Sequence, residues 1–412
     1  MKAQTLRALP FIFCAMAFSC QRPPAEFQLG AWRGGFAVPG AEIPFQFEIV
    51  DDTGSIAKAV FVNGEERIAF DSIRYERDSV VVPIELFDAF LIGKLTDDSW
   101  TGFFRRAQSK NRGIPFSASP GNQPRFNRLQ NPEPLDGKWS VVLLNEQDEP
   151  RYTVGLFATR PDSTVTGTIL TTTGDFRYFA GIASSDSVVL SAFSGSSPSL
   201  LRAKWVDPTR ITGELLSPVG KSKFVAVKSD TAHLPDPYSL TYLKPGYDQF
   251  SFSFPDLSGN NVSLRDDKYR NKAVIVTLTG SWCPNCMDEV AFLAPWYKQN
   301  RDRGVEIIAL SFERQDNMDF ARERIGKVIK RFEAEYDFLF AGKADKQAAA
   351  DKLPALNAVL SFPTTLFINK AGRVTKIHTG FTGPATGAYY EQFVQEFNEE
   401  VDRILAAPSP AL

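Results

Sequence analysis

The stretch 273-AVIVTLTGSWCPNCMDEV-290 decides how the C-terminal part of the chain folds. It opens with an unbroken apolar run, 273–279, which is typical of a strand buried on both faces. It continues into a helical pattern with apolar residues on one side. Cys283 and Cys286, two of only four cysteines in 412 residues, lie at the junction. Three uses of such a pair are open: electron transfer, metal binding and a structural disulfide.

The rest of the sequence argues against a metal and against a purely structural disulfide. A structural zinc site needs four ligands at short spacing, but the two histidines, His233 and His378, are far apart and match no ligand pattern. A disulfide that closes so short a loop stabilises a protein little, because the gain grows with loop length. We therefore favour a redox pair, and we expect neither a metal nor a cofactor.

The first 20 residues, MKAQTLRALPFIFCAMAFSC, have the layout of an export signal. Lys2 and Arg7 precede an apolar run that is too short to span a bilayer as a helix. The run ends in 17-AFSC-20, which resembles a bacterial lipobox with Ala where Leu is usual. We predict a lipoprotein signal at 1–20 and a lipid on Cys20, which anchors the protein to a membrane. An ordinary signal peptide, cleaved nearby, is the alternative.

Length and composition set limits on the architecture and on the partners. A chain of 412 residues exceeds one domain and suggests two or three. The formal net charge of −2 and the pI near 5.9 argue against nucleic acid as a partner. Aromatic residues make up 12% of the chain, with 34 Phe, which favours densely packed β structure.

An internal repeat occupies the region before the cysteine pair. From about 30 to 228 the sequence has short strands with alternating apolar residues, separated by turn-forming residues. Within it, 30-GAW-32 is echoed by 137-GKW-139, and 78-DSVV-81 is echoed by 186-DSVV-189. The Trp-to-Asp interval is 46 residues in the first copy and 47 in the second. Such agreement indicates that one β-meander unit has been duplicated.

The two copies are predicted to span 21–131 and 132–230, with the Pro- and Asn-rich stretch 114–136 between them. We expect them to close together into one antiparallel all-β domain, a barrel or a sandwich, because closure would hide their edge strands. Trp32 and Trp139 are predicted to pack in its core, and a ligand pocket between them is the alternative.

A linker at 231–246 is predicted to lead into an α/β domain at 247–406, followed by a tail at 407–412. Buried strands alternate with helices after the linker, which predicts a central sheet covered on both faces. The cysteine pair lies at its first strand-to-helix junction. The helix dipole and the unpaired N–H groups at a helix N-terminus favour thiolate over thiol. We therefore predict that Cys283 is the nucleophile and that Cys286, one turn later, resolves the mixed disulfide.

Residues 247–405 resemble a thioredoxin-like domain of the membrane-anchored, envelope thiol–disulfide oxidoreductases, the TlpA/ResA-like group. Three segments carry the resemblance: 252-FSFPDLSGNNVSL-264, 272-KAVIVTLTGSWCPNC-286 and 361-SFPTTLFINKAGRV-374. The resemblance implies a thioredoxin fold and electron exchange with disulfide-containing envelope proteins, and it favours reduction. It also implies a membrane partner that supplies or accepts electrons, and a site that faces the periplasm.

The resemblance implies roles for five residues around the cysteines. Trp282 packs beside them as part of the docking surface. Pro284, which with Asn285 sets the rigidity of the loop, belongs to the same surface. Pro363 is expected in cis, with the carbonyl of Phe362 offered to an extended substrate. Glu289 matches an acidic residue that handles the proton of the buried cysteine, since three residues along a helix bring the two side chains to one side. The alternative for Glu289 is a solvated position on the helix surface.

The sequence departs from the thioredoxin pattern in one respect that bears on proton transfer. Thr277 stands where cytosolic thioredoxins carry a buried Asp. This shifts the proton-carrying role to Glu289, or removes that carrier altogether. Asp288 is expected to face solvent.

Two other functions remain open. A peroxidase is the nearest rival among enzymes, but Gly280 and Val276 stand where peroxiredoxins need Thr or Ser and Pro. The other alternative is an envelope lipoprotein that binds a ligand or partner through the β repeat, with the redox domain as an accessory.

Overall fold

The computed structural model describes residues 26–51, 57–107, 109, 111–127, 131–145 and 147–408. The predicted export signal and Cys20 lie outside the described residues. Within the described part of the chain, no helix combines the length and the apolar character that crossing a membrane requires.

The first repeat folds into an antiparallel sheet. Its nine strands are β1 (Gly30–Val38), β2 (Ala41–Val50), β3 (Lys58–Asn63), β4 (Glu66–Ser72), β5 (Arg74–Glu76), β6 (Ser79–Ile84), β7 (Ala89–Leu95), β8 (Trp100–Arg106) and β9 (Ile114–Pro120). Their order is β4-β3-β2-β1-β9-β8-β7-β6-β5, so the first and last strands are neighbours. The inner face is packed with aromatic rings in contact, which accounts for much of the phenylalanine content; they include Phe36, Phe45, Phe47, Phe61 and Trp100.

The second repeat forms its own antiparallel sheet. Its nine strands are β10 (Gly137–Leu144), β11 (Pro150–Thr159), β12 (Thr164–Thr171), β13 (Gly174–Asp175), β14 (Phe179–Ala183), β15 (Ser187–Ala192), β16 (Ser199–Asp207), β17 (Arg210–Ser217) and β18 (Gly220–Lys228). Their order is β11-β10-β18-β17-β16-β15-β14-β12-β13, and an additional pairing joins β11 to β12. That pairing closes the sheet into a barrel, from which β13 extends beside β12.

The antiparallel all-β architecture is therefore confirmed, but the two copies do not share one barrel. In each copy the first strand pairs with the last, β1 with β9 and β10 with β18. The second copy closes on itself through β11 and β12, whereas the first is an open sheet with β4 and β5 at its ends. The prediction that 114–136 connects the two copies is wrong for its first residues, because Ile114–Pro120 form strand β9 of the first sheet. Trp32 and Trp139 are each 1% exposed, which confirms that both pack in a core.

The two β units pack against each other through both apolar and polar contacts. The ring of Phe193, from the second copy, lies 4.8 Å from that of Phe36 in the first. The buried guanidinium of Arg125 donates to the Pro44 carbonyl at 3.4 Å and to the Ser191 hydroxyl at 3.0 Å. The two sheets thus form one packed β region.

The C-terminal part has the thioredoxin-like α/β architecture that the resemblance implies. Its strands are β19 (Phe254–Pro255), β20 (Asn261–Val262), β21 (Ala273–Thr279), β22 (Val305–Glu313), β23 (Asp337–Lys343), β24 (Thr364–Ile368) and β25 (Val374–Thr379); its helices are α1 (Pro284–Asn300), α2 (Met318–Phe332), α3 (Lys346–Lys352) and α4 (Ala388–Ala406). The main sheet has the order β23-β22-β21-β24-β25. Its central strand, β21, runs parallel to β22 and antiparallel to β24. Every residue of β21 is buried, as its unbroken apolar run predicts.

The α/β part is packed directly against the β region. One contiguous cluster of buried apolar side chains contains both the aromatic core of the first repeat and the core around β21. Arg324 of α2 donates to the Leu86 carbonyl at 2.7 Å and lies 3.3 Å from the Asp88 carboxylate. This packing joins the first repeat to the α/β part.

Candidate active site

The cysteine pair is joined as a disulfide at the start of α1. Cys283 has an extended backbone and caps the helix, and its Sγ accepts the N–H of Cys286 at 3.2 Å. Pro284 occupies the first turn, where its missing N–H leaves no helical hydrogen bond unmade. The pair is therefore seen in its oxidised form, in the place where a helix N-terminus stabilises a thiolate.

The two cysteines differ in what can reach them. Cys283 is 5% exposed and lines a cavity, whereas Cys286 is fully buried. The difference supports the predicted order of attack, in which Cys283 meets the substrate first. Among the described residues, no group of three or more His, Cys, Asp or Glu side chains is arranged to hold a metal ion.

The segment before β24 lies beside Cys283. The Phe362–Pro363 peptide bond is cis, as the resemblance implies. The carbonyl oxygen of Phe362 is 3.3 Å from Cys283 Sγ. The Trp282 ring centroid lies 5.9 Å from that of Phe362, and its Nε1 donates to the Phe312 carbonyl at 2.9 Å. The structure thus brings the predicted docking residues together around one sulfur.

Glu289 is buried below the pair, one turn further along α1 than Cys286. Its side chain is 2% exposed, so the solvated alternative is wrong. Its two carboxylate oxygens accept hydroxyl hydrogen bonds from Thr277 and Thr365, each at 2.5 Å. Burial raises the pKa of Glu289 to about 7, although both hydrogen bonds favour the charged form. The carboxyl group can therefore exist in either protonation state near neutral pH.

Asp288 does not face solvent as expected. Its Oδ1 lies 2.5 Å from the guanidinium of Arg177, which comes from the second β repeat, and its side chain is 15% exposed. Burial raises the pKa of Asp288 to about 7, whereas Arg177 acts in the opposite direction. Sequence reasoning missed this pair because its partners are 111 residues apart and no local pattern links them.

A segment of the second repeat, residues 173–178, covers one side of the site, and we call it the cover segment. The Ser361 hydroxyl donates to the Thr173 carbonyl at 3.1 Å, beside Phe362. The N–H of Gly383 donates to the Asp175 carboxylate at 2.8 Å. The guanidinium of Arg177 binds Glu66 of the first repeat as well as Asp288. The cover segment is thereby fixed to both ends of the site and to both β units.

The cover segment also touches the dipeptide between the two cysteines. With its amide oriented to match donors with acceptors, Asn285 accepts the Asp175 N–H at 2.9 Å and donates to the Asp175 carbonyl at 3.2 Å. Gly174 has φ of +142°, and a Cβ at this position would lie 1.6 Å from the end of the Asn285 side-chain amide. Only glycine fits such an approach.

A cavity of about 330 Å³ lies between the cover segment and the disulfide. The lining from the α/β part is Cys283, Pro284, Asn285 and Phe362. The lining from the β region is mainly polar: Asn63, Glu66, Thr173, Asp175, Arg177, Tyr178 and four serines, Ser194, Ser196, Ser197 and Ser199. The sulfur of Cys283 therefore faces a space that two structural units build together.

Comparisons with known proteins find relatives of the α/β part. The AhpC/TSA family matches residues 245–377. The thiol-disulfide oxidoreductase ResA of Halalkalibacterium halodurans is 28% identical over 161 residues, which cover 38% of this chain and 76% of the relative. ResA of Bacillus thuringiensis subsp. konkukian is 32% identical over 124 residues, 30% of this chain and 63% of the relative. The chain thus spans about three quarters of the first relative and less than two thirds of the second.

Two solved structures are also similar to this part of the chain. A thiol-disulfide oxidoreductase from Bacteroides fragilis has 19% identity and a TM-score of 0.27, covering 36% of this chain and 99% of that one. A thioredoxin family thiol:disulfide interchange protein from Chlorobium tepidum has 19% identity and a TM-score of 0.29, covering 39% and 96%. From its sheet order, its cysteine junction and its relatives, the C-terminal part of this chain is a thioredoxin-like domain, similar to the ResA thiol–disulfide oxidoreductases.

Proposed function

We propose that this protein is an envelope lipoprotein that exchanges electrons with protein disulfides through Cys283 and Cys286, and that it acts as a reductase. One observation carries the proposal. Cys283 Sγ sits at the N-cap of α1, within 3.3 Å of the carbonyl that precedes a cis proline. That carbonyl is a main-chain acceptor for an extended substrate beside the reacting sulfur.

The reaction needs two exchange steps. In the reduced protein, the Cys283 thiolate attacks one sulfur of the substrate disulfide, forming a mixed disulfide and releasing one substrate thiolate. The Cys286 thiolate then attacks Cys283 Sγ and releases the second substrate thiolate. Two electrons pass to the substrate, and the protein is left with the disulfide seen in the structure. A thiol reductant partner at the membrane has to restore the dithiol.

The surroundings of the pair assist each step. The helix N-terminus and the Cys286 N–H stabilise a thiolate on Cys283. Cys286 starts as a buried thiol and has to lose its proton before it attacks. Glu289, one turn away with a pKa of about 7, is placed to accept that proton and to return it in the reverse direction.

The location is proposed from the N-terminal sequence. The positive start, the short apolar run and 17-AFSC-20 support export and a lipid on Cys20. Such a lipid would tether the domain to a membrane of the envelope, with the site facing the periplasm.

The peroxidase alternative has little support in the site. Peroxiredoxins need Thr or Ser at position 280, where this chain has glycine. A Cβ on Gly280 would lie 2.5 Å from Trp282 Nε1 and 2.7 Å from the Phe312 carbonyl oxygen. The packing around the disulfide therefore leaves no room for the hydroxyl that this chemistry requires.

The binding-protein alternative separates the β repeat from the redox chemistry. The contacts of the cover segment with Asn285, Ser361 and Asp288 instead support one combined function. The test is exchange between the reduced full-length protein and a linear peptide that carries a disulfide. The proposal predicts reduction of the peptide, with oxidation of Cys283 and Cys286 in equal amount. Unchanged reduction by a Cys283→Ser variant would contradict it.

A further inference from the structure

The cover segment, residues 173–178, lines the cavity beside the reacting sulfur. Cys283 is 5% exposed, and it lines the cavity beneath this segment. The cavity of about 330 Å³ is at the small end of the range of ligand pockets, about 300–1,000 Å³. A specific contact with a folded protein buries about 800 Å² on each partner. The cavity is therefore small beside the surface that a folded partner presents.

Several contacts hold the cover segment closed. Arg177 forms ion pairs with Glu66 and Asp288 at 2.5 Å each, and the side chains of these two carboxylates are 7% and 15% exposed. Partly buried charge pairs of this kind hold their geometry better than exposed ones. The Asp175 carboxylate accepts a hydrogen bond from the Gly383 N–H. The backbone N–H and carbonyl of Asp175 both bond to the side-chain amide of Asn285. The closed arrangement is thus fixed from both sides of the cysteine pair.

The lining of the cavity suits a small polar occupant. The β side contributes four serines, Asn63 and Tyr178, and the α/β side contributes Phe362 with its carbonyl beside the sulfur. These groups offer hydroxyl, amide and carbonyl partners, and they lie beside apolar surface from Phe176, Ala192 and Pro284. They match the polar groups that flank the sulfur in a small thiol or in a single extended peptide segment.

We propose that the cover segment determines substrate class: while it is docked, Cys283 exchanges with thiols and disulfides of small molecules or of flexible extended segments, and not with those on folded protein surfaces. The inference rests on the proposed function, which it narrows. Arg177 is its main positioning residue, because it joins the cover segment to α1 and to the first repeat. Opening of the cover segment is then required before a folded partner reacts.

The oxidised protein allows a direct test. A dithiol that reaches the site attacks Cys283 Sγ as thiolate, forms a mixed disulfide and releases the Cys286 thiolate. The second sulfur of the dithiol then displaces Cys283, so the dithiol leaves as a disulfide. Two electrons pass to the protein, and both of its cysteines take up protons.

The experiment compares two dithiols of different size on the oxidised full-length protein. The rate of reduction is measured with dithiothreitol and with a reduced thioredoxin, which presents its dithiol on a folded surface. For Arg177→Gln, the ratio of the thioredoxin rate to the dithiothreitol rate is expected to rise about tenfold, equivalent to about 1.4 kcal/mol. Arg210→Gln is the matched control, because Arg210 forms an exposed ion pair with Asp207 on the same repeat. It is expected to leave the ratio unchanged.

A second variant and a third reductant complete the design. Asp175→Ala removes the acceptor for Gly383 and should raise the ratio in the same direction, which guards against a fold defect specific to Arg177→Gln. The third reductant is a linear peptide dithiol. If the two variants change its rate as little as they change the dithiothreitol rate, flexible segments are substrates of the closed site. If they raise its rate as they raise the thioredoxin rate, the closed site accepts only small molecules. A ratio unchanged in both variants overturns the inference and leaves the proposed function standing. No reaction with any dithiol in any variant contradicts the proposed function itself.

Discussion

The hydroxyl of Thr277, on the central strand β21, lies 2.5 Å from the carboxylate of Glu289 on helix α1. Thr277 stands where cytosolic thioredoxins carry a buried Asp. This protein therefore also has a buried carboxylate near the cysteines, but it comes from Glu289 on the helix. The strand contributes the Thr277 hydroxyl, which donates a hydrogen bond to it. Because burial raises the pKa of Glu289 to about 7, this carboxyl group is the candidate proton carrier for Cys286.

Glu289→Gln should slow disulfide exchange by about tenfold or more at pH 7, since a positioned acid–base group contributes roughly 10²–10⁴-fold. The amide keeps the shape of the carboxyl group but does not titrate, and it accepts hydrogen bonds through one atom instead of two. We expect a flatter pH–rate profile and a shifted Cys286 pKa, measured by stopped-flow exchange and by alkylation against pH. Glu391→Gln, on the exposed face of α4, is the control. An unchanged pH–rate profile for Glu289→Gln would remove Glu289 from the mechanism.

Glu289 should also make stability depend on pH. The pKa is raised from 4.5 to about 7, so the folded state favours the protonated carboxyl group. Its contribution is complete below about pH 4.5 and is lost as pH rises through about 7. Relative to wild type, Glu289→Gln should therefore gain about 3 kcal/mol in the free energy of unfolding between pH 4.5 and pH 8. Urea unfolding at both pH values measures this gain, and a constant difference between the two proteins would contradict it.

The Arg177–Asp288 pair should couple the β region to α1. Breaking one partner of a buried pair leaves the other uncompensated and costs about 3–5 kcal/mol, and here the cost is lower because Glu66 remains with Arg177. Because burial raises the pKa of Asp288, the cost of Asp288→Asn alone should fall as pH rises. A double-mutant cycle with Arg177→Gln should show a coupling of at least about 1 kcal/mol. Strictly additive effects would mean that the pair does not join the two units.

Much of the thioredoxin-like part was predictable from local patterns. The apolar run of β21 must be buried on both faces, and the helical period after Cys286 fixes the position of the pair at a helix N-terminus. The resemblance added the cis bond before Pro363, which is present. These features depend on residues that are close in sequence, and they can therefore be predicted from it.

The features that depend on distant contacts were not predictable. Nothing in the sequence around Arg177 or Asp288 indicates that the two side chains meet, and the local pattern places Asp288 on the surface. The repeat was evident, but its closure depends on pairing between β11 and β12 and between the ends of each copy. The alternation of apolar residues indicates which face of a strand is buried, and not which strand is its neighbour.

Export and lipidation remain a prediction from the first 20 residues. If the 17-AFSC-20 motif is processed as a lipobox, the mature chain begins at Cys20 and carries a diacyl or triacyl group on it. Mass spectrometry of the N-terminal peptide from membranes tests this, with Cys20→Ser as the control. A mature chain that begins elsewhere with an unmodified thiol would exclude the lipid anchor.

The order in which the two cysteines react tests their proposed role as a redox pair. In the reduced protein at neutral pH, Cys283 should be alkylated well before Cys286, because it caps α1 and lines the cavity while Cys286 is fully buried. When linear disulfide peptides are added, Cys286→Ser should accumulate a mixed disulfide at Cys283, located by peptide mass mapping. Cys283→Ser should accumulate little or none. Equal alkylation rates, or trapping by Cys283→Ser instead, would contradict the account.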